Sequence, residues 1–214
     1  MTQFAYISAN CGNLGFYFTE GREYDHPFIG MLFVNDEDFV ELCTNFDYYI
    51  CLIPRLGPPS ETSIWAQQNG SPWYKHFEIT PPYPVVYLGD LELHYIHESD
   101  GPTLLEKFRR RAKRFLVEKH TPIFLWSCCE LMNDRSYDDL RRMVHKYLAV
   151  KDAVYVTKYP EISCNAYFYD KWVGADDKRN SSYIPEIHFI GDRVGEYMKV
   201  VDGIKEKWYK GFDV

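Results

Sequence analysis

Residues 101–126, GPTLLEKFRRRAKRFLVEKHTPIFLW, decide how this chain folds. Leu104, Leu105, Phe108, Ala112, Phe115 and Leu116 recur at helical spacing behind Pro102, a residue suited to the first turn of a helix. Thr121-Pro122 ends that helix, and Ile123 to Trp126 is a short apolar run that reads as a buried strand. A helix feeding a buried strand is half of a strand–helix–strand unit, and the flanking sequence supplies the rest. Upstream, Phe4 to Ser8 reads as a first strand entering a tight polar turn, with Asn13 capping a short helix through Phe18. Downstream, Asp134 or Ser136 caps a second amphipathic helix bearing Leu140, Met143, Val144, Tyr147 and Leu148, and Ala153 to Thr157 is a further strand. This order predicts a single α/β domain over residues 1–214, with a mixed, partly parallel sheet flanked by helices.

The intervening segments read less regularly. Residues 27–34, PFIGMLFV, are apolar on both sides, and Asn35 or Asp36 opens a helix running to about Phe46, with Cys43 packed inside it. Residues 56–84 are dense in Pro, Gly, Ser and aromatics, which predicts loop with short strands at best, the usual make-up of a lid or binding loop. Val85 to Leu88 and Leu91 to His97 are extended segments around Gly89-Asp90. A short strand near Ile187 to Ile190 and a helix from about Val194 complete the reading.

Composition excludes several classes. The chain is 46% hydrophobic over 214 residues, enough for one well-buried core, yet its apolar runs are far shorter than the roughly 20 residues a membrane helix needs. The N-terminal MTQFAYISANCG has neither the basic nor the long apolar region of a secretory signal, so a cytoplasmic protein is expected. In that setting the six cysteines read as reduced thiols, and no C-x-x-C spacing suggests structural zinc. A formal charge of −7 argues against nucleic acid as a partner. The exception is a basic stripe, Lys107, Arg109, Arg110, Arg111, Lys113, Arg114 and Lys119 against Glu106 and Glu118. A solvated helix face accounts for it; the functional alternative is an anion dock using Arg109, Arg110, Lys113 and Arg114. The aromatics around Trp65, Trp73, Tyr74, His76 and Phe77 are likewise read as core, with a sugar-stacking surface as the alternative.

The chemistry centres on Cys11, on the turn after the first strand, where open α/β sheets bind ligands. A cysteine nucleophile needs an imidazole within hydrogen-bond reach to form thiolate at neutral pH, and often a carboxylate to orient that imidazole. His94 and His97 are the candidate bases. Asp90 or Glu92 can orient His94, since the three alternate onto one strand face, whereas His97 falls on the opposite face unless the strand ends between the two histidines. The Gly12 N–H is a candidate oxyanion donor, and Asn10 a neighbouring substrate contact. Buried cysteines are common inert packing residues, so the bland reading of Cys11 stands beside the catalytic one. An H-x-x-H pair on a strand turns its imidazoles apart, so no metal site is expected at His94, His97, Asp90 and Glu92. No phosphate-binding or dinucleotide glycine motif is present.

The segments YISANCGNLGFYF, HPFIGMLFVNDEDFVELCTNFDYYI, YPVVYLGDLELHYIHESD, KFRRRAKRF and KYPEI, in that order, resemble the bacterial domain of unknown function 1919 family. Ala9 and His26 stand where that family typically has Asn and Ser. The resemblance implies a link to exopolysaccharide or capsule biosynthesis. Through more distant capsule proteins with an early Asn-Cys turn, it implies either a coenzyme-A-dependent O-acetyltransferase or a papain-like cysteine hydrolase. The expectation is therefore an acyl transferase acting on a glycan or glycan precursor, with acyl-CoA as co-substrate and no tightly bound cofactor. A papain-like hydrolase and a non-catalytic glycan-binding or assembly protein remain as alternatives.

Overall fold

The computed structural model describes residues 4–9, 13–14, 17, 21–34, 36–61, 63–64, 83–127, 142–143, 145–147, 149–150, 153–157 and 167–168. Two sheets organise them. Strands β1 (Phe4–Ser8), β5 (Thr121–Ser127), β6 (Ala153–Thr157) and β7 (Tyr167–Phe168) form a parallel sheet in the order β1-β5-β6-β7. Strands β2 (Arg55–Gly57), β3 (Val85–Leu88) and β4 (Leu91–His94) form an antiparallel sheet in chain order. The helices are α1 (Asp36–Thr44), the single turn α2 (Phe46–Tyr49) and α3 (Gly101–Glu118). The architecture is mixed α/β, as the strand–helix–strand pattern predicts.

The first strand is buried along its whole length, with Ala5, Tyr6 and Ile7 fully inaccessible, which is why FAYIS reads as a continuous apolar run rather than an alternating one. Its free edge is covered by residues 26–33. Phe33 donates its N–H to the Ala9 carbonyl (3.0 Å) and the His26 ring bonds the Tyr6 carbonyl (3.0 Å). Helix α3 starts after Asp100, whose carboxylate accepts the Thr103 hydroxyl, and carries Pro102 in its first turn, where a missing N–H is harmless. It ends at Lys119, whose left-handed backbone (φ 53°) turns the chain into β5, with the Lys119 N–H reaching the Phe115 carbonyl. Leu104, Phe108, Ala112 and Phe115 are its buried stripe. Leu116 is a correction to the expected stripe, being 46% exposed beside the still more exposed Val117.

Phe46 ties the layers together: its ring lies 5.4 Å from Phe115 on α3, 5.3 Å from Phe124 on β5 and 5.8 Å from Phe28. A second aromatic chain runs Phe33, Phe39, Tyr147, Trp126, with adjacent ring centroids 5.3–5.8 Å apart. Each contact of this kind adds about 0.5–1.5 kcal/mol beyond its buried area. Much of the aromatic content is thus core. Cys43 is buried in α1, where burial pushes its thiol pKa well up, and Cys51 is exposed. The aromatics from Trp65 to Phe77, residues Cys128, Cys129 and Cys164, and the predicted elements at 187–190 and beyond 194 lie outside the described residues. Among the described residues no helix is long and apolar enough to cross a membrane.

Candidate active site

The decisive local feature is where β4 stops. Strands β3 and β4 join through the two-residue loop Gly89-Asp90, whose first position has φ 58° and so favours glycine. Ladder pairing ends at His94, and residues 95–98 form a turn closed by the Glu98 N–H on the Tyr95 carbonyl (3.0 Å). Tyr95 anchors that turn by donating its hydroxyl to the Pro27 carbonyl (3.0 Å) and its N–H to the Pro84 carbonyl (3.1 Å). The strand therefore ends between the two histidines, and strict alternation does not extend to His97.

His94 is 1% exposed and both its ring nitrogens are engaged. Nε2 lies 2.8 Å from Glu92 Oε1, and because a carboxylate accepts but does not donate, Nε2 carries the proton. Nδ1 lies 3.1 Å from the Tyr83 hydroxyl. On the backbone, His94 exchanges both hydrogen bonds with Leu32 (2.8 and 3.0 Å), so Leu32 makes a one-residue extension of the antiparallel sheet. Glu92 takes a second bond from the Ser60 N–H (3.1 Å). Burial opposes its ionisation, but the bonds from His94 and Ser60 outweigh that and hold the carboxyl at about 2. Asp38 on α1 accepts the Glu92 N–H (3.4 Å), and burial, reinforced by the negative charge of Glu92, pushes it up to about 6. Asp90, expected on the same face as Glu92 and His94, is exposed in the hairpin loop instead, because the loop takes the residue out of the ladder.

His97 sits in a different environment. It is exposed in the 95–98 turn, yet its Cδ2 edge lies 3.9 Å from where a Cβ on Gly30 would stand, a point that Leu14 approaches to 3.6 Å. Gly30 has φ 67°, a backbone conformation that favours glycine, while a Cβ there would meet both neighbours at ordinary contact distance. Partial desolvation lowers the His97 pKa, with neighbouring Glu98 opposing the shift. His97 makes no hydrogen bond among the described residues.

Asn10, Cys11 and Gly12 lie outside the described residues. Their flanks are held firmly. Beyond the Ala9–Phe33 bond, the Asn13 N–H donates to Ser8 Oγ (3.1 Å) and the buried Asn13 carboxamide bonds the carbonyls of Tyr6 and Phe28 and the N–H of Gly30. Asn13, read from sequence as a helix cap, thus stitches the end of β1 to the segment on which His97 rests. His26 is a satisfied core histidine: Phe28 donates its N–H to Nδ1 (3.1 Å), and burial lowers its pKa to about 3.

Of the four cations assigned to an anion dock, Arg109, Arg110 and Lys113 are exposed, and Arg114 bonds Glu23 (3.2 Å) and the Tyr24 carbonyl (3.3 Å). Arg110 and Arg114 line a cleft with Tyr17, Arg22, Tyr24 and Arg111, whereas Arg109 and Lys113 lie on another part of the helix. Arg111 belongs to the basic stripe but was not among the four dock candidates, and Arg22 was not singled out from the sequence at all. Helical spacing of 110, 111 and 114 was the available signal. Tyr83 and Ser60, which complete the His94 site, had none. Among the described residues no group of three or more His, Cys, Asp or Glu side chains is arranged to hold a metal.

The family Domain of unknown function (DUF1919) matches residues 1–169, more than three-quarters of the chain. The chain belongs to the DUF1919 family. The match takes in every described strand and helix, including the His94 and His97 environments and the arginine cleft. No curated protein matches the chain. The DUF1919 membership carries no activity by its description, so the chemistry rests on the residues.

Proposed function

We propose that this DUF1919 protein is an acyltransferase acting on a glycan or glycan precursor, with Cys11 as nucleophile and His97 as its base. The observation that carries the assignment is the contrast in hydrogen bonding. Both nitrogens of His94 are consumed by Glu92 and Tyr83, while His97 is accessible and lies near Gly30, whose N–H bonds Asn13, two positions after Cys11 in sequence. A lowered imidazole pKa keeps His97 neutral, and so able to accept a proton, at pH 7.

In the proposed reaction His97 takes the Cys11 proton, and the thiolate attacks the carbonyl of an acyl thioester such as acyl-CoA, with the Gly12 N–H stabilising the oxyanion. The thioester C–S bond breaks, the leaving thiol recovers the proton, and the acyl group rests on Cys11. A glycan hydroxyl then attacks, its proton passing to His97 and back to Cys11 as the acyl ester is released. Buried Glu92 and His94, with the half-buried Tyr83, form the frame that fixes the end of β4 and so positions the His97 turn. Glycan acylation fits the exopolysaccharide and capsule association that the family resemblance implies.

The test is the pH dependence of Cys11 alkylation by iodoacetamide, read by peptide mass spectrometry with the other five cysteines as controls. In the wild type, Cys11 should react with an apparent pKa below the free thiol value of about 8.5. His97→Ala should restore the free value and His94→Gln should not. Incubation with acetyl-CoA should leave an acetyl adduct on Cys11. Acetate release without any acceptor would turn the reading to the papain-like hydrolase, and an ordinary Cys11 pKa in the wild type would end both.

A further inference from the structure

Helix α3 carries its cations in two sets. Positions 110, 111 and 114 share one face, and opposite them the chain of residues 17–24 brings up Tyr17, Arg22, Glu23 and Tyr24. The two walls enclose a cleft of about 580 Å³, well within the roughly 300–1,000 Å³ of small-molecule sites. Four guanidinium groups face one carboxylate, Glu23, in its lining, on a chain whose formal net charge is −7.

The four arginines are not equally committed. Arg22 is held by Asp25 (2.5 Å) and the Phe4 carbonyl, with its guanidinium over the Tyr17 ring at 5.2 Å. Arg114 spends one nitrogen on Glu23, which is 89% exposed and easily displaced, and on the Tyr24 carbonyl. Arg111 is partly buried, with its guanidinium 5.0 Å from the centre of the Tyr24 ring. Neither Arg111 nor Arg110 donates a hydrogen bond to an acceptor among the described residues. Two adjacent guanidinium forks with unspent donors, one set in place by an aromatic ring, suit an oxyanion with more oxygens than a carboxylate offers. The remaining volume and the Tyr17 and Tyr24 faces suit an organic body attached to that oxyanion.

We propose that this cleft binds the phosphate or diphosphate group of an organic ester, with Arg110 and Arg111 as the principal contacts and Arg22 and Arg114 as flanking charge. Two sources share this chemistry, a coenzyme A thioester donor and a nucleoside-diphosphate sugar precursor. The site stands independently of Cys11, because it is read by binding alone.

The experiment is isothermal titration of the full chain at 150 mM salt with coenzyme A, with UDP-glucose and with inorganic pyrophosphate. At least one organic probe should bind saturably and more tightly than pyrophosphate. Arg110→Ala together with Arg111→Gln should weaken that binding at least tenfold. Arg109→Ala together with Lys113→Ala, which removes the same charge from the same helix outside the cleft, should change it less than twofold. Arg111→Lys, which keeps charge and loses the fork, should fall between. Thermal melts of each variant separate lost binding from lost folding, and Arg110→Ala alone, at an exposed position, gives a reading if the double variant unfolds. Preference for coenzyme A identifies the thioester source, and preference for UDP-glucose the sugar precursor. No saturable binding, or equal weakening by the two charge-matched pairs, overturns the site. A Cys11 of ordinary pKa would leave this result untouched.

Discussion

His94 and His97 are three residues apart, yet they belong to different kinds of structure. The first is sealed in the antiparallel sheet with a carboxylate on one nitrogen and a phenol on the other. The second is on an exposed turn with no hydrogen bond among the described residues. A histidine with both nitrogens engaged is a structural strut, whereas a base must keep one nitrogen for its substrate. Being near a candidate nucleophile matters less than having a hydrogen bond to spare.

That comparison is open to breakage, most forcefully at Glu92. Glu92→Ala strips the carboxylate from a buried imidazole and leaves its Nε2–H and the Ser60 N–H without their acceptor. The expected loss is about 2–4 kcal/mol in a urea melt. A loss below about 0.5 kcal/mol would mean that His94 is no strut. The pH profile sharpens the point. Because the folded Glu92 pKa is depressed from 4.5 to about 2, the unfolded chain binds more protons between those values. Its stabilisation is complete above about pH 4.5 and lost as pH falls toward 2, of order 2–3 kcal/mol in all. Glu92→Gln should flatten that acid limb.

Asp38 has the opposite sign. Its folded pKa is raised from 3.8 to about 6, so the folded chain holds the extra proton and stability falls as pH rises through that window. Asp38→Asn keeps an acceptor for the Glu92 N–H and removes the repulsion, and should stabilise the protein by about 1 kcal/mol at pH 7 while leaving it unchanged below pH 4. The smallest expected effect is at His97. His97→Ala should shift stability by no more than about 0.5 kcal/mol while abolishing the perturbed Cys11 reactivity. Destabilisation comparable to Glu92→Ala would make both histidines structural.

The sequence was most readable where local pattern and tertiary role coincide. Strands β1, β5 and β6 are apolar runs bounded by turns, and α3 announces itself by Pro102 and by Leu104, Phe108, Ala112 and Phe115. Leu116 misled because one turn of helix brings more apolar residues to the edge of the stripe than the core can cover. Residues 27–34 look like a strand, but Gly30 at φ 67° interrupts them, and only Leu32 joins a ladder. At the site, Glu92 and His94 share a face by simple alternation, and their contact was legible for that reason. Asp90 was assigned to the same face and lost it to the hairpin loop. Ser60 and Arg22 reach Glu92 and the α3 arginines across distant stretches of chain that no spacing rule encodes, and Tyr83 meets His94 across the β3–β4 hairpin from just outside its ladder.

The parallel pairing of β1 with β5 also bears on how the chain is made. Phe4 faces Thr121 in the register, so β1 is synthesised more than a hundred residues ahead of the strand with which it closes this ladder. At about 5–20 residues per second that interval is on the order of ten seconds. Among the described residues the other edge of β1 is met by His26, Asn13 and Phe33, all close to it in sequence, while the edge that takes β5 has to wait. The two edges of one strand thus differ in the length of chain that must be made before each can be covered, and the edge facing β5 is the one exposed to pairing with a neighbour in the interval.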